Sequence, residues 1–148
     1  MICNFYSRLK KKPFSRQFVR KIIAKSAKEL KIKENFELTV LLVKDKEIKV
    51  LNKKFRNKNK VTDVLAFSQK EGKALVLPPG QRIYLGDVII CYPQLLRQAK
   101  KFKQAPSKEF ALLLSHGFLH LLGFKDENEA GYRKMKKLQE KILAVIYD

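Results

Sequence analysis

The sequence is short of the residues that mark several classes of protein. In 148 residues it has two cysteines, Cys3 and Cys91, no tryptophan and only 14 acidic residues. The cysteines form no C-x-x-C pair and no disulfide framework, and neither carries a local nucleophile signature. Both read as reduced residues buried in strands. No apolar run is long enough to cross a bilayer. The opening "MICNFYSRLKKKPF" has too short an apolar part for a signal peptide and lacks a small-residue cleavage site, so a cytoplasmic protein is expected. Internal repeats and low-complexity linkers are missing too, which predicts one domain over residues 1–148. Hydrophobic residues make up 45%, enough for a single core without disulfide or metal staples.

Against the 14 acids stand 33 Lys and Arg, a net charge of +19. Such a balance favours a polyanionic partner, because each phosphate neutralised releases a counterion. A membrane surface is the competing polyanion. No segment joins a basic face to exposed Trp or Phe as an interfacial helix does, so nucleic acid is the better supported partner. Many of the lysines also form an ordinary solubilising coat. No aromatic-rich RNA-recognition pattern is visible, and strong sequence specificity is not expected from this chain alone.

Periodicity outlines the elements. Residues 2–6, "ICNFY", read as a short strand. Ser15 is a plausible N-cap for a helix whose apolar residues, Phe18, Val19, Ile22, Ile23, Ala27 and Leu30, fall at helical spacing. "FELTVLLV", 36–43, reads as a strand from its β-branched and large apolar content. Asp45 is placed to cap a short helix that turns Ile48, Leu51 and Phe55 inward. A basic loop, "RNKNKV", leads to a strand at 62–67. The stretch 69–82, with Gly72, Pro78, Pro79 and Gly80, reads as a loop or loose hairpin. "YLGDVIIC", 84–91, is a buried strand. Pro93 opens a helix with Leu95, Leu96, Ala99 and Phe102 inward. Pro106 and Ser107 open another, which stops near Gly123. A last helix over 128–146 buries Tyr132, Met135, Leu138, Ile142 and Val145. Early strands separated by helices, with later helices gathered toward the C-terminus, predict a small α/β sheet packed with helices.

The richest stretch is "LLLSHGFLHLLGFKDE", 112–127, which places the only two histidines of the chain on its most apolar helix. Residues four apart lie one turn above each other, so His116 and His120 share a face. Two neutral imidazoles so placed can bind one divalent ion. Gly123 lets the chain leave the helix and fold back, bringing the Asp126 carboxylate within reach of the same point and completing an N₂O ligand set. Two core histidines with satisfied hydrogen bonds are the plainer alternative. Gly117 stands where a zinc protease of the H-E-x-x-H type carries its catalytic glutamate, which disfavours peptide hydrolysis by that mechanism.

"HGFLHLLGFKD" resembles the His-Gly-x-Leu-His-x-x-Gly-Tyr-Asp-His signature of the YbeY family, metal-dependent endoribonucleases of ribosomal RNA maturation. "LNKKFRNKNKVTDVLAFS", 51–68, resembles that family's Leu-Asn-x-x-Phe-Arg … Thr-Asp-Val-Leu-Ser-Phe-Pro segment, and "LGDVIIC", 85–91, its Leu-Gly-Asp-Ile-x-x-Ser strand. Three collinear motifs extend the resemblance over nearly the whole chain. It implies an α/β fold, a small four-stranded mixed sheet packed with about five helices, with zinc beside the long buried helix. His116 and His120 then match the family's first two metal histidines. Asp126 falls where the family has its third histidine. That departure makes the site harder and better able to take magnesium, manganese or nickel. Glu127 is a weaker candidate for the same position. Ala66 and Ser68 also depart from the family's Ser and Pro.

Arg56 matches the arginine that follows the family's Leu-Asn-x-x-Phe. A guanidinium can grip a phosphate bidentately and stabilise negative charge on the reacting group. Asp63 and Asp87 are assigned structural roles, bonding nearby backbone. The resulting expectation is hydrolysis of single-stranded RNA, with ribosomal RNA and the small subunit as partners. His116, His120 and Asp126 hold the metal, Arg56 grips a non-bridging oxygen, and Lys58 and Lys60 steer the backbone. The rivals are a non-catalytic basic RNA- or ribosome-binding factor with a structural metal, and a metal-dependent hydrolase of another substrate.

Overall fold

A computed structural model describes residues 1–32, 35–69 and 80–147. Among these it contains four strands and five helices: β1 (Ile2–Ser7), α1 (Arg16–Glu29), β2 (Phe36–Val43), α2 (Asp45–Arg56), β3 (Val64–Ser68), β4 (Ile83–Cys91), α3 (Tyr92–Lys101), α4 (Pro106–Leu121) and α5 (Glu129–Ile146). The strands form one sheet in the order β1-β2-β4-β3. β1, β2 and β4 run parallel, and β3 is antiparallel to β4. The expected mixed four-stranded sheet is therefore present. Parallel neighbours need crossovers, and α1 supplies the one between β1 and β2.

One face of the sheet carries the main core. Leu38, Val40, Leu42, Val88 and Ile90 meet Ile22 and Ile23 of α1, Phe110, Leu114 and Phe118 of α4, and Ile142 of α5. Buried on both sides, β4 reads as a nearly continuous apolar run, as an inner strand should. A smaller cluster on the opposite face packs Ile48 of α2 on Val43, Leu65, Ile89 and Cys91.

α4 is the innermost helix. Phe110, Ala111, Leu113, Leu114, Gly117, Phe118, Leu119 and Leu121 are all buried, so it is apolar around most of its circumference. A Cβ on Gly117 would stand 2.6 Å from Val88 Cγ1, so glycine is what lets α4 lie this close to β4. Its two buried polar side chains are satisfied. Ser115 Oγ donates to Leu112 O at 2.9 Å, and Glu109 accepts from Gln98 Nε2 at 2.9 Å and from Gln104 Nε2.

Several expectations need correction. Lys44, not Asp45, occupies the N-cap of α2. The Asp45 carboxylate instead makes a two-pronged pair with Arg97 of α3, at 2.7 and 3.1 Å, and accepts from the Cys91 thiol. That pair holds the Asp45 carboxyl below the ordinary carboxylate range, through its hydrogen bond to Arg97 first. Cys91 is buried as expected, but Cys3 is only half-buried. Phe55, Leu96, Phe102 and Tyr132, assigned inward, are exposed. Leu96 sits one residue off the buried Leu95–Ala99 stripe, and Phe102 lies at the C-cap of α3, beyond its last full turn. β3 begins at Val64, whose backbone N–H donates to Asp63 Oδ1 at 2.7 Å. The loop reading of Gly72, Pro78 and Pro79 lies outside the described residues. No described helix is long and apolar enough to cross a membrane.

Candidate metal centre

The end of α4 and the loop after it are fixed by local chemistry. Gly123 has φ +99°, a left-handed conformation that glycine adopts without Cβ strain. Around it the Gly123 N–H donates to His120 O at 3.0 Å and the Phe124 N–H to Leu119 O at 3.1 Å. These two bonds are the Schellman pattern that closes a helix and reverses the chain. At the far side of the loop, Asn128 caps α5 by accepting from the Gly131 N–H at 2.8 Å. A Cβ on Gly131 would meet Lys125 O at 2.3 Å, so glycine also permits close packing of the loop on the start of α5. Asp126 is thus held from both ends.

The loop brings Asp126 Oδ2 to 3.6 Å from His116 Nε2 and 3.7 Å from His120 Nε2, while the two Nε2 atoms stand 3.0 Å apart. The three ligand-capable atoms all lie within 4.8 Å of one another. All three side chains are roughly one-quarter to one-third exposed, so the cluster opens to solvent.

The other ring nitrogens decide what those Nε2 atoms can be. His120 Nδ1 lies 3.0 Å from Phe124 O, a backbone carbonyl that only accepts. His116 Nδ1 lies 3.2 Å from Gln139 Oε1 on α5, and that amide is oriented by its Nε2, which donates to Leu112 O at 3.4 Å. Both Nδ1 atoms are therefore donors in the neutral rings, which leaves both Nε2 atoms as acceptors. Two lone pairs facing each other at 3.0 Å repel unless a cation sits between or in front of them. Two nitrogens bound tetrahedrally at zinc distances stand roughly 3.3 Å apart, close to what is found. The residues present fit a divalent ion. Burial first, then the neighbouring His116, pushes the pKa of His120 below its ordinary value, with Asp126 acting against both. That shift favours the neutral, ligating form.

The cluster lies in a cleft of about 790 Å³, whose walls include Arg56, Asp63, Ala66, Ser68, Lys125 and Glu127. Arg56, the last residue of α2, donates from Nη2 to Ala66 O at 2.7 Å, and its guanidinium carbon lies 4.9 Å from the centre of the Phe67 ring. The backbone carbonyl and the ring hold the guanidinium at the cleft wall. Its charge also contributes to lowering the pKa of His120. Lys58 and Lys60 stand exposed on the loop after α2, outside the cleft wall. Glu127 lines the cleft but does not join the convergent group. Asp63 bonds the Val64 N–H and Gln98 Nε2, and Asp87 accepts from the Tyr84 hydroxyl. Asp63 thus bonds nearby backbone as expected, whereas the partner of Asp87 is a side chain.

Sequence reasoning missed two residues. Gln139 lies 23 positions beyond His116, and no local pattern links them. Lys125 belongs to the histidine segment itself and its position beside Asp126 could have marked it.

A protein-family model described as Endoribonuclease YbeY matches residues 4–147. Curated proteins of that name are similar over most of their length. The one from Spiroplasma citri is 39% identical over 134 residues, covering 89% of this chain and 84% of its own. The one from Phytoplasma australiense is 44% identical over 115 residues, 78% of each chain. The one from Syntrophomonas wolfei is 32% identical over 146 residues, 97% of this chain and 94% of its own. Among solved structures, the solution structure of TM1509 from Thermotoga maritima matches with a TM-score of 0.64, covering 99% of this chain and 89% of that one at 22% identity. That match concerns the fold.

Proposed function

This chain belongs to the YbeY endoribonuclease family, and from that premise we propose a metal-dependent hydrolase of single-stranded RNA that acts in ribosomal RNA maturation on the small subunit, in the cytoplasm. The observation that carries the reading is the convergence of His116 Nε2, His120 Nε2 and Asp126 Oδ2 within 4.8 Å of one another in an open cleft. His116, His120 and Asp126 hold the ion. Zinc suits the two imidazoles, and the carboxylate in third place widens the choice toward manganese, magnesium or nickel. When bound, the ion lowers the pKa of a water toward neutrality and polarises the phosphate.

The protein's own groups do the rest. Arg56, held by Ala66 O and Phe67, grips a non-bridging phosphate oxygen and offsets the charge that builds there. Lys125 on the cleft wall, with Lys58 and Lys60 on the loop beyond, draws the RNA backbone in. Gly117 presents no side chain that could act as the general base of a peptidase. His116, His120 and Asp126 would hold the ion at a cleft open to solvent, where water or substrate could reach it. A structural metal would have its ligand shell closed, which disfavours the reading as a non-catalytic factor.

Purified protein incubated with a labelled single-stranded RNA tests this. Cleavage is expected to stop with chelator, return with metal, and be lost in His116→Ala while RNA binding persists. Cleavage that follows the preparation, with Asp126→Ala as active as the parent, would identify a contaminating nuclease and refute the reading.

A further inference from the structure

Phe102 and Tyr132 were both expected in the core, yet they are 59% and 54% exposed. They line one groove of about 570 Å³ that runs between α3 and α5 over α4. Its apolar lining includes Leu112 and Leu113 of α4 and Met135 of α5. The groove meets the first cleft at His116 and Asp126, which line both. It is therefore continuous with the centre that faces the scissile phosphate.

Charge narrows the occupant. Of the acids that reach the groove, Glu109 is bonded by two glutamines, Asp63 by Gln98 and the Val64 N–H, and Asp126 belongs to the metal group. Lys101 and Lys136 are exposed cations among its lining residues, and the Lys101 ammonium lies 5.8 Å from the centre of the Phe102 ring. Exposed aromatic faces, an apolar lining and flanking ammonium groups match the three parts of a nucleotide chain. These are a flat base, an apolar sugar edge and a phosphate. A base must be unstacked to lie on a side-chain ring, which a duplex does not allow.

We propose that this groove binds one unpaired nucleotide of the RNA, its base against Phe102 and Tyr132 and its backbone beside Lys101 and Lys136. The groove thereby selects single strands. The proposal rests on the nuclease reading, because the groove gains its meaning from the adjoining centre, but its test does not depend on cleavage. Both rings are exposed, so their removal leaves the core intact.

The test measures binding of a short labelled single-stranded RNA by fluorescence anisotropy with chelator present, so that no turnover intervenes. Phe102→Ala and Tyr132→Ala are each expected to weaken Kd by about five- to a hundredfold, and Phe102→Trp to restore it. An RNA with one abasic position, walked along the strand, should reproduce the loss in the parent protein at one position. The Phe102→Ala/Tyr132→Ala double variant should lose little more at that position. Parent-like affinity in both single variants overturns the proposal, as do losses that simply add to the abasic effect. A concentration-dependent dimer abolished by the double variant, with RNA affinity unchanged, also overturns it and makes the groove a contact between two copies. Cleavage that survives His116→Ala would remove the nuclease reading alone and leave the anisotropy result standing.

Discussion

The two imidazoles of the centre are supported in different ways. His120 leans on Phe124 O, a backbone carbonyl placed by the same Gly123 turn that ends α4. His116 leans on Gln139, a side chain arriving from another helix. One support is local and cannot be separated from the fold of the helix end. The other is long-range and reaches α4 only through the His116 ring and a 3.4 Å bond to Leu112 O. The comparison teaches that the pair's geometry is mostly a property of residues 116–128, with α5 adding the orientation of one ring.

The largest effects should come from the ligands themselves. His120→Ala and His116→Ala are each expected to abolish metal-dependent cleavage, read with labelled RNA under matched metal. Asp126→His should keep activity and shift preference toward zinc over magnesium or manganese, measured by restoring chelated enzyme with each ion in turn.

Next come the two supports. Gly123→Ala forces a side chain into the left-handed region and should cost about 1–2 kcal/mol of stability, read by denaturant unfolding, while also weakening metal binding. Gln139→Leu should weaken metal binding about 10- to 100-fold with an unfolding midpoint close to the parent's. If Gln139→Leu destabilised the protein as much as Gly123→Ala, or left metal affinity unchanged, the distinction between local and long-range support would fail. The smallest effect on chemistry is expected at Gly117→Ala. Its Cβ would press on Val88 and cost about 1–3 kcal/mol by overpacking, with metal affinity largely kept because both histidines lie on α4 and move together.

The same contrast explains what could be read in the sequence. The histidine pair and the reversing Gly123 are local signals, and helical spacing alone put His116 and His120 on one face. The expected sheet and helix count also hold, because β2 and β4 carry dense apolar runs and α1 has a strong N-cap in Ser15, which accepts from the Phe18 N–H at 3.0 Å. What the sequence hid depends on distant partners. Asp45 looked like a cap until Arg97, 52 residues away, took its carboxylate. Phe102 and Tyr132 looked like core because large rings usually are, yet each lines a groove and is left exposed among the described residues. Arg56 carried no local mark of function; only the family resemblance singled it out, and Ala66 O and Phe67 hold its guanidinium at the cleft wall.

The most direct measurement is metal stoichiometry. Protein stripped with chelator and titrated with zinc or manganese should bind one ion per chain. In a His116→Ala/His120→Ala/Asp126→Ala variant with an unchanged circular dichroism spectrum, that binding should disappear. An ion that binds the triple variant as tightly as the parent, or a parent that binds none, would contradict the account.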